Sequence, residues 1–461
     1  MPWPARPTGS GDPDPFVPLP PLPEGWRPTD SIWARRRGLA SGTIHLYTKA
    51  GCESQTIHAI RANRDRGSLP VRPGLPNLTA PPIPVPRYGV RSLAELIPSL
   101  LSSLGLAGFE NRLSLESTRR ILLLLIDGLG WELVKVNTPS APFLNSIAGD
   151  PLTAGFPATT AASLSSIATG RPPGEHGLVG YTMVLPGYDR AFNALTWSLY
   201  GVGPRRDMLD ELVPEQFQPR RTLAEQAGAS GLRSHHLGPA FHEGSGLTRA
   251  IGRGERFHPA DSLAAVSETA LQLLQAPRTF VYGYHSGLDA AGHVHGVASQ
   301  AWRSELSKVD NALRMLVEQL PADTLLAVTG DHGMVDLRPE QRLDLADHPA
   351  LAAGVSMLAG EARARYVRTA PGAAADVVSA WRSNLGDRMW VWTAEEAIAT
   401  GIFGPSVSDL ARQRIGDVVA AAFGPVGIVE RAIDPAQARF NGHHGSLTSA
   451  EQQVPLFLFR A

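Results

Sequence analysis

The sequence predicts an α/β fold with a central, mostly parallel β-sheet, and two observations support that prediction. Three apolar runs, at 121–126, 279–284 and 325–330, have the continuous character of strands buried on both faces of a parallel sheet. Each run is followed by side chains that carry oxygen or nitrogen ligand atoms, at the strand end where open α/β sheets bind their ligands. We therefore expect a single site at one edge of the sheet, assembled from distant parts of the chain.

Helical patterns alternate with these strands. Ser92, followed three residues later by Glu95, has the spacing of a capping box and predicts a helix over 92–106. A helix is also expected to begin near Glu132, after the first strand. Further helical periodicity predicts helices at 161–168, 222–229, 261–275 and 299–319, and the apolar run at 454–459 predicts a final strand.

The chain of 461 residues is expected to have two regions. Residues 1–88 are rich in proline, which prevents regular helices and strand ladders, so a largely irregular extension is predicted there. This extension is either a solvated linker or an interaction module. Residues 89–461 are expected to form the globular domain. At about 340–438 the strand–ligand–helix pattern is interrupted, which predicts a cap or inserted subdomain.

Composition excludes several classes of function. The formal net charge of −1 gives no electrostatic case for binding a nucleic-acid polymer or an anionic membrane. Cys52 is the only cysteine, which excludes an intramolecular disulfide framework and a cysteine-rich metal site. No run approaches the roughly 20 apolar residues of a membrane-spanning helix. The N-terminus lacks the apolar core of a signal peptide, so a cytoplasmic location is expected.

A divalent-metal site is expected at the strand ends, since carboxylates and imidazoles are the ligands that hard and borderline divalent ions prefer. Asp289 and His293 are four residues apart, so both groups lie on one face if the segment is helical. Gly330 and Gly333 would let the backbone come close to an ion. The six candidate ligands are Asp127, Asp289, His293, Asp331, His332 and His444.

Thr160 is the candidate nucleophile. It stands at the start of a predicted helix of small residues, and the N-terminus of a helix favours anions such as phosphate. A hydroxyl is a poor nucleophile at its ordinary pKa, and coordination to a metal activates it. Thr159 is the rival nucleophile, with a helix cap as its other interpretation.

Taken together, these motifs resemble the alkaline phosphatase superfamily and, within it, the type I phosphodiesterase/nucleotide pyrophosphatase branch. The resemblance covers 119–461 and implies an alkaline-phosphatase-like three-layer sandwich, with 89–461 as the catalytic domain. It implies metal-dependent hydrolysis of phosphodiester or pyrophosphate bonds. It rests on five motifs in the family's order: Asp127-Gly128, Thr160 nine residues before Thr169-Gly170, Asp289-x-x-Gly292-His293, Gly330-Asp331-His332-Gly333-Met334 and His444-Gly445.

The resemblance also implies residue roles. Two divalent ions are expected, with zinc as the usual occupant and manganese or iron as alternatives. Thr160 would attack phosphorus in line and form a phosphothreonine intermediate, which water then hydrolyses. The implied ligands are Asp127, Asp331, His332 and Thr160 for one ion, and Asp289, His293 and His444 for the other.

Two positions differ from the branch's pattern. The Phe-Pro-Asn that follows the nucleophile in nucleotide pyrophosphatases is Ala161-Ala162-Ser163 here, and the phosphate-binding Asn falls at Tyr181. Tyr181 is either a substrate contact or a packing residue.

The expected partner is a small-molecule phosphate ester, and the oligomeric state is left open. Phosphomonoesterase, phosphonate hydrolase and a non-catalytic metal- or phospholigand-binding protein are the alternatives.

Overall fold

The computed structural model describes residues 80–461. Residues 1–79, which include most of the predicted Pro-rich extension and Cys52, lie outside the described residues. The predicted boundary at residue 88 therefore stays a prediction. No helix in the described part of the chain combines the length and apolar character needed to cross a membrane.

The last part of the predicted extension lies against the globular body. Residues 80–88 have no regular helix or strand. The Trp390 indole N–H nevertheless donates a hydrogen bond to the Pro81 carbonyl, at 2.9 Å. The Tyr88 hydroxyl likewise donates to the Ile402 carbonyl, at 2.9 Å. This short segment is thus held in place by side chains and backbone far away in sequence.

The strands of five or more residues fall into two sheets and are numbered here in chain order. They are β1 (Arg120–Ile126), β2 (Gly149–Thr153), β3 (Arg233–Gly238), β4 (Glu255–Pro259), β5 (Thr279–His285), β6 (Thr324–Thr329), β7 (Val355–Glu361), β8 (Ala364–Thr369), β9 (Met389–Thr393), β10 (Val418–Ala422) and β11 (Gln453–Arg460).

The α-helices of six or more residues are numbered in the same way. They are α1 (Leu96–Ser103), α2 (Trp131–Val136), α3 (Thr160–Thr169), α4 (Leu223–Gly228), α5 (Gly246–Ile251), α6 (Leu263–Leu273), α7 (Gly287–His295), α8 (Gln300–Val317), α9 (Ala374–Leu385), α10 (Ala394–Ala399) and α11 (Asp409–Ile415). Shorter helices are Pro142–Ser146, Pro173–His176, Pro214–Phe217, Pro349–Ala352 and Ser449–Gln452.

The central sheet has seven strands in the order β2-β11-β6-β1-β5-β3-β4. Strand β1 is parallel to both of its neighbours, β6 and β5, while β11 is antiparallel to β6 and β2. The three strands that precede the candidate ligands are therefore adjacent at the middle of the sheet. Because they are parallel, their carboxyl ends lie at one edge, as the sequence predicts.

Helices cover both faces of this sheet and make three layers. The six residues 121–126 of β1 are fully buried, and alternate side chains point to opposite faces. One face packs against α1 and α4, and the other against α2, α6 and α8. In α8, the buried residues Trp302, Leu306, Val309 and Leu313 recur every three or four positions, which gives the helix one apolar face. The predicted α/β class is confirmed.

A second sheet lies within the predicted insert. Its four antiparallel strands have the order β7-β8-β10-β9, and one face packs against α9. Its other face packs against residues that follow α3, including Phe192 and Trp197. The insert therefore has its own sheet and helix, and its role as a cap stays a prediction.

Short strands complete the fold. A small four-stranded sheet consists of Thr182–Met183, Phe192–Asn193, Ser198–Leu199 and Arg206–Asp207. Val335–Asp336 pairs with Gly442–His443, and Arg342–Asp344 pairs with Gly427–Val429. The pairing of Val335 with His443 brings the chain before β11 back to the end of β6, next to the candidate ligands.

Candidate metal centre and active site

The candidate ligands meet at the carboxyl edge of the central sheet. Asp127 directly follows β1, and Asp331-His332 follows β6 after one glycine. Asp289 and His293 lie on α7, the helix that follows β5, with the predicted spacing of one helical turn. These three segments and the one that carries His444, before β11, come from widely separated parts of the sequence.

One group of potential ligands consists of Asp127, Asp289 and His332, whose ligand atoms all lie within 4.8 Å of one another. The His332 Nε2 atom is 3.4 Å from Asp127 Oδ1 and 3.5 Å from Asp331 Oδ2. Asp331 thus lies beside this group. Its other oxygen accepts a hydrogen bond from the Gly128 backbone N–H at 3.0 Å, which ties the ends of β6 and β1 together.

A second group consists of Asp289, His293 and His444. His293 Nε2 is 3.4 Å from Asp289 Oδ2, and His444 Nε2 is 4.0 Å from Asp289 Oδ1. The structure brings Asp289 into both groups, whereas the resemblance implies a role in one. Its carboxylate lies between the two candidate metal positions.

The histidines are oriented by backbone carbonyls. A carbonyl oxygen only accepts, so each bonded Nδ1 carries the proton, and Nε2 presents its lone pair to the site. Such a contact fixes the tautomer and ring orientation of a metal-binding histidine. The three bonds run from His293 to Gly442 at 2.9 Å, from His332 to Gly333 at 3.0 Å, and from His444 to Ala158 at 2.9 Å.

Three buried carboxylate oxygens at this edge have no hydrogen-bond partner: Asp127 Oδ1, Asp289 Oδ1 and Asp331 Oδ2. Leaving such atoms unpaired is unfavourable in a protein interior, and a bound cation would satisfy them. The same atoms approach imidazole lone pairs. The residues present therefore fit the divalent ions that the sequence predicts.

Electrostatics in the site are consistent with this fit. Burial raises the pKa of Asp127 well above its usual range, and the neighbouring carboxylates of Asp331 and Asp289 raise it further. The Tyr284 hydroxyl donates a hydrogen bond to Asp127 Oδ2. Burial lowers the pKa of His444 well below its usual range, with further contributions from the nearby histidines. A cation would favour both the ionised carboxylates and the neutral imidazoles.

Thr160 is the first residue of α3, and its Oγ1 atom lies 3.4 Å from His332 Nε2. The Ser163 hydroxyl donates a hydrogen bond to the Asp331 carbonyl at 2.8 Å, which connects the first turn of α3 to the candidate ligands. Thr159, the rival nucleophile, instead donates a hydrogen bond from its hydroxyl to Glu361 on β7. Thr160 therefore has the less engaged of the two hydroxyls.

Tyr181, and His443 beside the candidate ligand His444, have other contacts. The Tyr181 hydroxyl accepts a hydrogen bond from Gln437 Nε2 at 2.8 Å and lies 3.3 Å from the Tyr200 hydroxyl. Its predicted contact with phosphate stays a prediction. His443 bonds through Nε2 to the Phe440 carbonyl at 3.0 Å, which agrees with a structural rather than a ligand role.

Sequence reasoning missed Tyr284 and Glu361, which contact Asp127 and Thr159 respectively. Tyr284 belongs to an apolar strand, so the sequence pattern alone indicates a core residue. Glu361 lies in β7, 202 positions away from Thr159. No local spacing connects either residue to the site, so only the folded arrangement identifies them.

Comparison with known families decides the relationship. Residues 121–447 match the family described as type I phosphodiesterase/nucleotide pyrophosphatase. The chain belongs to this family. The resemblance that the motifs indicate is thereby confirmed. The match begins within β1 and ends just after His444, so it includes every candidate ligand.

Curated relatives match over short segments. The catalytic subunit of human GPI ethanolamine phosphate transferase 3 is 48% identical over 48 residues, which is 10% of this chain and 4% of that protein. GPI ethanolamine phosphate transferase 2 of Kluyveromyces lactis is 39% identical over 54 residues, which is 12% of this chain and 7% of that protein. The matched segments are thus a small part of these relatives.

Solved structures show the same fold over most of the chain. Murine ectonucleotide pyrophosphatase/phosphodiesterase 5 is 18% identical, with a TM-score of 0.55, covering 73% of this chain and 87% of that one. The human protein of the same name is 17% identical, with a TM-score of 0.57 and the same coverage. An inactive variant of the murine protein has been solved in complex with AMP.

Proposed function

We propose that this protein hydrolyses phosphodiester or pyrophosphate bonds of small molecules, with Thr160 as nucleophile beside a centre of two divalent ions. One observation carries the proposal: unpaired carboxylate oxygens and imidazole lone pairs converge next to the Thr160 hydroxyl. The chain's family supports phosphodiester hydrolysis. The two ions, the nucleophile and the site residues are our assignment.

The ligands are assigned as the family resemblance implies. Thr160 joins Asp127, Asp331 and His332 at one ion, and Asp289, His293 and His444 hold the other. Zinc is the ion we propose, because the donors are mixed nitrogen and oxygen atoms. When bound, such ions stabilise negative charge on phosphate oxygens and lower the pKa of a coordinated hydroxyl.

The chemical steps follow from the position of Thr160. Its hydroxyl loses a proton, and Oγ1 forms a bond to phosphorus while the bond to the leaving oxygen breaks. The leaving oxygen takes up one proton. Water then attacks phosphorus, the bond to Oγ1 breaks, and Thr160 recovers its hydroxyl proton. This sequence is nucleophilic catalysis with one covalent intermediate.

The start of α3 contributes to phosphate binding. Backbone N–H groups in the first turn of an α-helix have no acceptors within the helix and carry partial positive charge. In α3 these groups belong to residues directly after Thr159. An anionic phosphate bonded to Thr160 therefore lies at a favourable helix end.

The proposal is tested with Thr160→Ala and the chromogenic diester bis(p-nitrophenyl) phosphate. We expect kcat/KM to fall by more than about 10³-fold, since nucleophile removal has an effect of this order or larger in hydrolases. Zinc should stay bound through the remaining ligands. Thr159→Ala is the matched control, and a greater loss in that variant would move the nucleophile to Thr159.

The substrate class is the open part of this function. Comparing bis(p-nitrophenyl) phosphate with p-nitrophenyl phosphate and a phosphonate ester separates the diesterase from the monoesterase and phosphonate alternatives. Because a structural neighbour has been solved with AMP, nucleotide esters belong in the same comparison.

The predicted cytoplasmic location stays a prediction.

A further inference from the structure

A cavity of about 400 Å³ opens directly beside the proposed nucleophile. Asp127, Thr160 and Asp289 line it at the end next to the metal centre. Its volume lies within the range of small-molecule sites, about 300–1,000 Å³. The cavity is therefore large enough for an ester group of the substrate as well as the phosphate.

One wall of the cavity is a stripe along α3. Thr160, Leu164 and Ala168 are spaced by four residues, so they lie on one face of this helix, and all three line the cavity. At 1.5 Å per residue, the stripe extends about 12 Å from the nucleophile. Beyond Thr160 it offers apolar atoms only.

The other walls are also largely apolar. Leu247 and Ile251, four residues apart on α5, face the cavity together with Ile97 of α1. Burial lowers the pKa of His242, another lining residue, to about 4, so this imidazole is neutral at pH 7. The walls away from the metal centre therefore present little charge.

A buried pair of polar groups closes the far end. Three residues, Glu255, Ala168 and Ile251, line both this cavity and a small neighbouring cavity. Thr160 does not line the neighbouring cavity, so the three residues lie at the end away from Thr160. His236 Nδ1 lies 3.1 Å from Glu255 Oε2. These two polar groups lie at the end away from Thr160, so the apolar part of the cavity is the stretch between them and the nucleophile.

The mouth of the cavity has exposed apolar side chains. Phe241 is 78% exposed and Leu195 is 43% exposed, and both line the cavity. Exposed large apolar side chains next to a pocket are typical of a surface that binds an apolar ligand. Their position gives a route for an apolar group from solvent to the site.

We propose that this cavity binds an apolar, alkyl ester group, so that the preferred substrates are phosphodiesters of an alkyl alcohol. This inference rests on the proposed function, since the phosphate must sit at Thr160 for the chain to enter beside α3. Burial of each methylene between Leu164 and Leu247 would strengthen binding through the hydrophobic effect.

The test uses zinc-supplied enzyme and p-nitrophenyl phosphodiesters whose second ester is methyl, butyl or octyl. The leaving group is the same in all three, so differences report the second ester. We expect kcat/KM to rise about two- to fourfold per added methylene, and at least about 100-fold from methyl to octyl. Equal turnover of the three would overturn the inference but leave the proposed function intact.

A cavity-filling variant makes the test specific. Ala168→Phe should lower the octyl-to-methyl ratio of kcat/KM at least 10-fold, and Met315→Phe, on the exposed face of α8, should leave that ratio unchanged. Because each ratio is measured within one variant, partial misfolding does not affect it. An unchanged ratio in Ala168→Phe would overturn the inference.

Binding gives a readout that does not depend on turnover. By calorimetry on the zinc-supplied enzyme, octyl phosphate should bind at least 100-fold more tightly than methyl phosphate. Equal affinities would overturn the inference even if the diesters are hydrolysed. A nucleoside p-nitrophenyl phosphodiester that is turned over more than 10-fold faster than the octyl ester would also overturn it.

Discussion

At the scale of residues, the site depends on pairs of groups that only the fold brings together. Each candidate imidazole is fixed by a hydrogen bond from its Nδ1–H to a backbone carbonyl, and Asp127 accepts a hydrogen bond from the Tyr284 hydroxyl. The sequence predicts the ligand types because strand ends and one helical turn place them. It does not predict Glu361, whose contact with Thr159 joins the second sheet to α3.

Glu361 leads to a prediction about pH. Burial raises the pKa of this carboxyl from its ordinary 4.5 to about 7 in the folded protein. The metal-free folded state therefore holds a proton that the unfolded state loses near pH 4.5, so stability falls as pH rises from about 4.5 to 7. The loss from this group is about 3 kcal/mol.

Glu361→Gln should remove this loss, because the amide stays neutral at every pH. We expect the free energy of unfolding of metal-free protein, measured in urea, to vary less between pH 5 and pH 8 in the variant. Glu340→Gln is the control, since Glu340 lies on the surface. An identical pH dependence of wild type and Glu361→Gln would contradict the prediction.

At the scale of elements, two glycines position the loop after β6. The sequence suggests that Gly330 and Gly333 let the backbone approach an ion. In the structure, both glycines pack closely against other backbone segments. A Cβ atom added at Gly330 would lie 2.3 Å from the Leu129 carbonyl oxygen, and a Cβ atom added at Gly333 would lie 1.9 Å from the Ala450 carbonyl oxygen. Close backbone packing thus places Asp331 and His332.

Gly333→Ala should therefore destabilise the protein by more than about 2 kcal/mol, through overpacking against a rigid backbone. It should also weaken zinc binding, because the loop carrying His332 must shift. Chemical denaturation and zinc titration measure the two effects. Gly228→Ala is the matched control: a Cβ there meets nothing within 4 Å, and alanine is the better helix former at the end of α4. Equal stability of the two variants would contradict the account.

At the scale of the whole molecule, the sequence predicts the individual strands and helices because their periodicities are local, and the resemblance implies the three layers. Apolar runs give β1, β5 and β6, and the 3.6-residue repeat gives α6 and α8 close to their observed bounds. Strand order, the antiparallel placement of β11 and the cavity beside α3 depend on contacts between distant segments. Those parts of the architecture therefore cannot be predicted from local sequence patterns.

At the same scale, the proposed ions would couple metal binding to the fold. The candidate ligands follow β1, β5 and β6 and precede β11, so bound ions would connect four segments at the central sheet's edge. Asp331 and Asp289 raise the pKa of Asp127 through their negative charge, and bound cations would offset that repulsion.

The central claim is a two-metal site that supports hydrolysis at Thr160. The most direct measurement strips the protein of metal with a chelator, adds zinc in steps and follows hydrolysis of bis(p-nitrophenyl) phosphate. We predict almost no activity in the stripped protein and a rise that saturates at two equivalents of zinc per chain. Full activity in stripped protein, or zinc binding at two equivalents without any hydrolysis, would contradict the claim.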